Sequence, residues 1–477
     1  MSKTDDQLEA MLTNLYSTQS SVGASGALPS RGLAKFRPFF ARPWFAVIVG
    51  VLIVAIVGGV WAGSQGGKIS AKNLMDGITA ADVNAAGGGA GSGINVGSSG
   101  GPSTGFGAGG VNQLDAAVAN FATGLLQQVA TGDANYMVSP LSAELALAMA
   151  ANGAAADTQA QMLQVLAGAA SMDQLNAYLH NYVAGLPNIS AAKLNIANSI
   201  WIKQGVDVKQ SFLQANADWF GAAAYSAPFS AQTVKDMNTW VKQQTDGMIP
   251  RMVDSLDPSI VMILLNAMAL DAQWASPYEN PSVAPGKFTT SGGRQQLAQF
   301  MSSVETTYLD DGLATGFVKP YMYGTYDFVA LLPNEGVSMQ DYVASLTGAG
   351  LLNTLSTATD EGVAASLPQY SFSYSVGLQD ALKALGMTNA FDSVAADFSN
   401  MFTDSAGMFI DDVSQRTYID VTKTGTRAGA VTEVAATLSS APLVSRTVNL
   451  DRPFVFAIVD GATHLPLFLG VVNTITT

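Results

Sequence analysis

Side chains able to do chemistry are scarce in this chain. There is no cysteine, so thiolate nucleophiles, thiolate zinc sites, disulfide frameworks and thiol-anchored lipids are excluded. Two histidines occur, His180 and His464. Neither stands in a ligand spacing such as His-Glu-x-x-His, and mechanisms needing several imidazoles are excluded. His464, after Gly461-Ala462-Thr463, reads as a hairpin-turn residue, and His180 lies in a polar helical stretch. The pairs Asp310-Asp311 and Asp411-Asp412 lack calcium-loop spacing and read as solvated turns. Two formal motifs also occur: Gly97-Ser98-Ser99-Gly100-Gly101 as a nucleophile elbow, and Gly105-Phe106-Gly107 with Gly110 as a dinucleotide loop. Neither follows a strand-like run, which both require. The expectation is no enzyme: no catalytic residue, no metal and no cofactor.

The segment with unusual chemistry is Thr422 to Arg446, TKTGTRAGAVTEVAATLSSAPLVSR. It joins two strand-like segments, lacks aromatic residues and is crowded with Ala, Gly, Val, Thr and Ser. Loops this long are usually functional or disordered. Alternate residues from Thr426 are Ala428, Ala430, Thr432, Val434, Ala436 and Leu438, none of them charged. Arg427 and Glu433 fall on the other parity. A strand points alternate side chains to opposite faces, so this segment could enter a sheet with one face buried and both charges in solvent. An exposed loop that is also a competent central strand is a candidate for strand insertion; the bland alternative is a flexible hairpin loop.

The elements around it begin with charge. The chain has 477 residues, only 12% of them charged, 48% hydrophobic, with 47 glycines and a formal net charge of −14. That balance argues against a nucleic-acid partner. Residues 1–43 are nevertheless net basic, with Lys3, Arg31, Lys35, Arg37 and Arg42 against Asp5, Asp6 and Glu9. Residues 44–62, WFAVIVGVLIVAIVGGVWA, carry no charge and are bounded by Trp44 and Trp61. At ~1.5 Å per residue such a run approaches the ~30 Å hydrocarbon thickness. The reading is a signal-anchor transmembrane helix over 44–62 in contact with the lipid bilayer. A buried core helix and a cleaved signal peptide are the alternatives. The basic residues ahead of the run put a disordered 1–43 tail in the cytoplasm and the acidic bulk outside, at the plasma membrane unless cleaved and shed. Residues 63–112, dominated by Gly, Ala, Ser and Asn, read as a flexible linker of about 40 Å root-mean-square span.

From Gln113 to the C-terminus the texture is globular. Leu114, Val118, Phe121, Leu125 and Val129, then Leu141 to Ala151 and Met162 to Leu166, have helical spacing. Leu194–Ile202, Ile260–Ala269, Phe328–Leu332, Thr417–Val421 and Phe454–Val459 read as strands. Without regular βαβ alternation, the class is α+β in one domain, 113–477.

Val448-Asn449-Leu450-Asp451-Arg452-Pro453-Phe454-Val455-Phe456-Ala457-Ile458 and Leu467-Phe468-Leu469-Gly470 resemble the C-terminal signature of the serpin family. Asn135 with Ser139-Pro140-Leu141-Ser142, then Gly153-Ala154 and Thr158, is similar to its early helix motif. Asn238, Trp240-Val241, Thr245, Gly247 and Ile249 resemble a second helix motif, and Leu265-Asn266-Ala267 with Trp274 a central strand. Weaker matches are Leu331-Leu332-Pro333, Leu367-Pro368 and Leu385-Gly386. The resemblance spans 113–477 in order. It implies a metastable fold of three β-sheets with surrounding helices and an exposed reactive loop. A serine protease attacks the loop as a suicide substrate, and the loop then inserts into the large sheet. The hinge implied is Gly425, Thr426, Arg427, Ala428, Gly429 and Ala430; the scissile bond is Ser439-Ser440, with Leu438 a one-step alternative. Shutter and breach residues implied are Ser139, Ser142, Asn266, Trp274 and Gln415. Two departures stand out: Thr422 and Arg427 replace acidic hinge residues, and Gln415 replaces a histidine. A Leu or Ser at the cleaved position implies a chymotrypsin-, elastase- or subtilisin-like target, met by a monomer. The alternative is a non-inhibitory serpin-fold binding module whose loop does not insert.

Overall fold

A computed structural model describes residues 48–57, 113–168, 170–426 and 443–475. All of them belong to one compact unit, Phe45–Thr477. Sixteen strands and nine α-helices form among the described residues. The helices with strong apolar spacing lie where that spacing predicts: α1 (Gln113–Val129), α2 (Pro140–Ala151) and α3 (Ala156–Ala167). Helix α2 is buried along its entire length, starting at a proline that costs no internal hydrogen bond at the first turn. Helices α4 (Met172–Gly185), α5 (Gln210–Phe220) and α6 (Ala231–Gln244) follow. Reciprocal capping boxes start α4 at Ser171 and α6 at Ser230. Later come α7 (Met339–Ser345), α8 (Gly348–Ser356) and α9 (Gln379–Ala384).

The large sheet has seven strands. Its central members are β3 (Ala192–Lys203), β5 (Ile260–Gln273) and β12 (Phe409–Thr422), with β4 (Ala223–Ala227) and β11 (Tyr370–Gly377) outside them. The two-residue strand β13 (Gly425–Thr426) lies between β12 and β5. The second sheet has nine strands: β2 (Tyr136–Val138), β6 (Val283–Thr289), β7 (Gln295–Asp310), β8 (Ala314–Pro320), β9 (Tyr326–Pro333), β10 (Thr359–Pro368), β14 (Val444–Asn449), β15 (Phe454–Asp460) and β16 (Pro466–Val472). Two hydrogen-bonded sheets therefore stand where three were expected. The cause is the long strand β7, which pairs with β6 over Gln295–Met301, with β10 over Phe300–Tyr308 and with β8 over Thr307–Asp310.

The larger correction concerns 44–62. In place of a membrane helix, Ile48–Val57 forms β1, a strand between β5 and β12. No helix among the described residues is long and apolar enough to cross a membrane. The reason lies in side-chain shape. IVGVLIVAIV is rich in β-branched Ile and Val, which suit a strand, and a continuous apolar run fits a strand buried on both faces as well as a helix. Val54 and Ile56 are fully buried in the main core, and Ala55 faces a second apolar cluster beneath α6. A second correction is local: Asp411 and Asp412 lie within β12 instead of a turn. A register shift in the β1–β12 pairing falls between Asp412 and Ile410, which leaves Asp411 out of the ladder and exposed.

Candidate functional site

The site is the seam between β5 and β12. Strand β12 ends at Thr422, the chain turns through Lys423 and Thr424, and β13 runs back antiparallel to both neighbours. Gly425 pairs with Thr422 and Gln273; Thr426 pairs with Val421 and Ala272. Gly425 has φ of 152°, and a Cβ there would come within 2.2 Å of the Ala272 carbonyl oxygen, so no larger residue fits. Thr422, in place of an acid, ties the turn by donating its hydroxyl to the Gly425 carbonyl at 2.9 Å.

Thr426 is completely buried, and its hydroxyl shares a 2.5 Å hydrogen bond with the Tyr321 hydroxyl. This puts the even-numbered parity of the loop, at its first member, on the core face of the sheet. Tyr321 stacks on Trp274 with centroids 4.5 Å apart. The Trp274 indole N–H donates to the Thr422 carbonyl at 2.8 Å, and its backbone N–H donates to Thr424 at 3.2 Å. Trp274 thus clamps the turn from which the loop departs.

Below this aromatic pair lies a charge pair absent from the sequence expectations. Lys319 Nζ donates to Glu305 Oε1 at 2.8 Å, with side-chain exposures of 1% and 8%. The ammonium also sits 4.2 Å from the Tyr278 ring centroid and 5.6 Å from that of Trp274. Burial pushes the Lys319 pKa down, and the Glu305 carboxylate opposes that. The partners lie on β7 and β8, close in space through the hairpin, but no short-range motif in the sequence marks them.

Halfway down the seam the expected shutter residues are brought together. The Ser139 N–H donates to Gln415 Oε1 at 2.9 Å, and Gln415 Nε2 donates back to the Ser139 carbonyl at 3.0 Å. The Ser139 hydroxyl donates to Leu467 at 3.1 Å, tying the two sheets together. Ser142 donates to Asn266 Oδ1 at 2.5 Å, and Asn266 Nδ2 donates to Asn198 Oδ1 at 2.8 Å. Asn198, missed in the sequence, ends the chain by donating to Phe220 at 2.9 Å. Gln415 satisfies two backbone groups at once, which a neutral amide does at any pH. These side chains hold the sheet; none is arranged for acid–base or nucleophilic chemistry.

The opposite face of the sheet departs from the sequence expectation. Ile263, Leu265, Ala267 and Ala269 are buried against Met237, Trp240 and Val241 of α6 and against Met252 and Val253. This face is polar toward the top, at Asp271 and Asp420, and on β12 also at Ser414 and at Arg416, which pairs with Asp254. A loop continuing the β13 register would bring Arg427 directly opposite Asp271 and Asp420, on their own face. It would bring Glu433 opposite Leu265 and Ser414, beneath α6 and not in solvent.

Arg427, Ala428, Gly429, Ala430, Leu438, Ser439 and Ser440 lie outside the described residues. The chain resumes at β14, where Arg446 pairs with Glu361 at 2.8 Å and lies over the Tyr308 ring. His464 adopts φ of 61° in the turn between β15 and β16, as expected of it. His180 on α4 contacts the Trp219 carbonyl at 3.0 Å.

Two predictions follow from the buried groups. Lys319→Met leaves Glu305 desolvated without its partner and should cost about 3–5 kcal/mol in chemical denaturation. The double change Lys319→Met with Glu305→Gln should recover most of that loss; no recovery would deny the pair its role. Burial pushes the Asp420 carboxyl up to about 6 from 3.8. Its folded form therefore holds the proton more tightly, so stability falls as pH rises from about 4 to about 6 and stays lower above. Asp420→Asn should raise the melting temperature at pH 7.5 and give no gain at pH 4, read by thermal unfolding at both.

The chain is similar to known proteins over most of its described length. Residues 116–475 match the family model described as serpin (serine protease inhibitor). Serpin B6 of Macaca fascicularis is 28% identical over 370 residues, covering 73% of this chain and 96% of its own length. A serpin-like protein of Thermococcus kodakarensis is 28% identical, covering 74% and 84%. Among solved structures, the thermophilic serpin tengpin in its native state is 40% identical with a TM-score of 0.71, covering 77% of this chain and 96% of its own. Tengpin in the latent state gives 0.69. Human thyroxine-binding globulin, 24% identical with a TM-score of 0.68 and coverage of 76% and 99%, shares the fold. The chain belongs to the serpin family.

Proposed function

We propose that the chain inhibits serine endopeptidases as a suicide substrate, through cleavage of its reactive loop and insertion of the loop between β5 and β12. The observation that carries this reading is β13: the first two hinge residues are already paired on both sides in the direction and register that insertion requires. In the proposed reaction the protease serine oxygen attacks the carbonyl carbon of Ser439. The Ser439–Ser440 peptide bond breaks, the protease histidine gives its proton to the departing Ser440 amine, and Ser439 is left as an acyl ester. Insertion of residues after Thr426 then carries the acylated protease along the sheet. Small side chains at Ala428, Ala430 and Ala436 suit the core face. Arg427 is accommodated opposite Asp271 and Asp420, so the basic hinge residue does not oppose insertion. Glu433 does oppose it, since α6 must yield to admit a carboxylate.

A cleaved Ser or Leu suits chymotrypsin-, elastase- or subtilisin-like proteases. Arg446 is held in β14 by Glu361, which argues against trypsin-like cleavage there. That the inhibitor is monomeric is a further part of the proposal. A tethered, extracytoplasmic form would need the uncharged run 44–62 in the bilayer, which excludes β1 from the seam, so the two placements are alternatives. One observation favours the alternative of a binding module whose loop never inserts: β1 already stands in the insertion seam.

The test is incubation with chymotrypsin, elastase, subtilisin and trypsin. A covalent complex surviving denaturing electrophoresis with one of the first three is expected. Clean loop cleavage without complex, for every protease and every occupancy of the seam, would overturn the inhibitory reading. Thr432→Arg, whose station lies between Gln415 and Asn266 on the core face, should turn inhibitor into substrate and abolish the complex while cleavage continues.

A further inference from the structure

The structure assigns the segment Ile48–Val57 a role: it occupies in cis the seam that the reactive loop would use, and so holds the inhibitor in an autoinhibited, loop-excluded form. This deepens the inhibitory reading and rests on it for its consequence, though not for its geometry.

The geometry is a coincidence of register. β13 enters antiparallel to β5 and β12, with Thr426 opposite Ala272 and Val421. Continued residue by residue, Ala428 would stand opposite Leu270, Gly429 opposite Ala269 and Tyr418, and Ala430 opposite Met268 and Thr417. β1 runs in the same direction, with Ile48 opposite Leu270, Val49 opposite Ala269 and Tyr418, and Gly50 opposite Met268 and Thr417. The correspondence continues along β5 to Ile56, opposite Met262, the station that Ala436 would take. Two strands cannot share one station, so the two occupants are mutually exclusive.

Shape and charge favour β1 while the loop is intact. The β5 side of the seam is apolar on both faces except at Asn266: Leu264, Met268 and Leu270 belong to the main core, and Ile263, Leu265 and Ala269 to the cluster beneath α6. β1 is uncharged throughout, and Val54, Ala55 and Ile56 are buried. At the same stations the loop offers Val434, Ala435 and Ala436, equal to β1 at the first two and smaller at the third, and one residue earlier the charged Glu433. Apolar burial over these stations is therefore greater for β1 through Ile56 against Ala436, and β1 brings no carboxylate. Sequence distance is no obstacle, since residues 58–112 could bridge up to about 180 Å if extended.

Cysteine chemistry gives a clean test, because the chain has none of its own. Ala55 and Ile263 are directly opposite on the outer face, close enough for a disulfide after modest adjustment. In the full chain, Ala55→Cys with Ile263→Cys should form an intramolecular disulfide under mild oxidation, seen as a faster-migrating monomer on non-reducing electrophoresis. A disulfide-linked dimer, or persistence of free thiols in folded protein, would overturn the assignment. A second variant, Val54→Asp in the full chain, should expel β1. Amide-exchange protection of Leu264–Ala269 and Val413–Tyr418 should fall by at least tenfold; unchanged protection would also overturn it. Loss of protection only in the presence of lipid vesicles, with wild type and Val54→Asp alike in their absence, would overturn it in favour of the bilayer as the run's resting place.

For the consequence, subtilisin and chymotrypsin should form covalent complex at least tenfold faster with Val54→Asp than with wild type. The oxidised disulfide variant should be cleaved without complex, and reduction should restore the wild-type rate. If the disulfide forms and protection falls as expected, yet no variant ever yields a complex, the occupancy stands and the inhibitory reading falls.

Discussion

The large sheet is organised around an open pair of strand edges. β5 and β12 face one another across the width of one strand, and each presents a row of backbone N–H and C=O groups to the gap. A buried central edge cannot be left unpaired, since each orphaned group costs about 1–3 kcal/mol. Something must therefore fill the gap, or the two strands must close on each other. In this structure the filling is β13 for its first two stations and β1 for the rest. The residues of clamp, shutter and hinge lie along these stations.

The polar groups around the gap divide into two kinds. Ser139, Ser142, Asn198, Asn266 and Gln415 satisfy one another and the backbone across β3, β5, β12 and α2. Such a network fixes register without contributing charge, and with Gln415 in place of an imidazole it has no titrating member near neutrality. The second kind is ionic: Lys319 and Glu305 under the Trp274–Tyr321 stack, where the hinge turns. A buried pair is weak evidence for net stability, but separating it is costly, so it resists movement of the strands beneath the hinge.

Much of this was legible in the sequence, for a physical reason. The strands Ile260–Ala269 and Phe454–Val459 are nearly continuous apolar runs of strand length, and Leu194–Ile202 sets Leu, Ile and Trp around Asn195, Asn198 and Ser199. The shutter residues occur within motifs whose order along the chain matches the family. The reading of Thr426 as a core-facing residue needed only period-two alternation; in the structure Thr426 is buried and its hydroxyl meets that of Tyr321. Two kinds of information were not accessible. Lys319 and Glu305 meet through a hairpin register that composition does not encode. The solvent assigned to Arg427 and Glu433 required knowing what covers the second face, which is α6 and the chain after it.

The apolar run 48–57 was misread for a deeper reason. Periodicity cannot separate a membrane helix from a strand buried on both faces, because both are apolar at every position. What distinguishes them is the environment that satisfies the backbone. A helix satisfies its own N–H and C=O groups and needs only hydrocarbon around it. A strand needs two partners, and the gap between β5 and β12 supplies two at once. The preponderance of Ile and Val over Leu and Ala in this run was the available signal, since β-branched side chains favour the pleated state. A serpin carrying such a run ahead of its body holds two chemically different segments able to fill one vacancy. The outcome then depends on their relative apolar burial and on whether the loop has been cut, which frees its end to travel the length of the sheet.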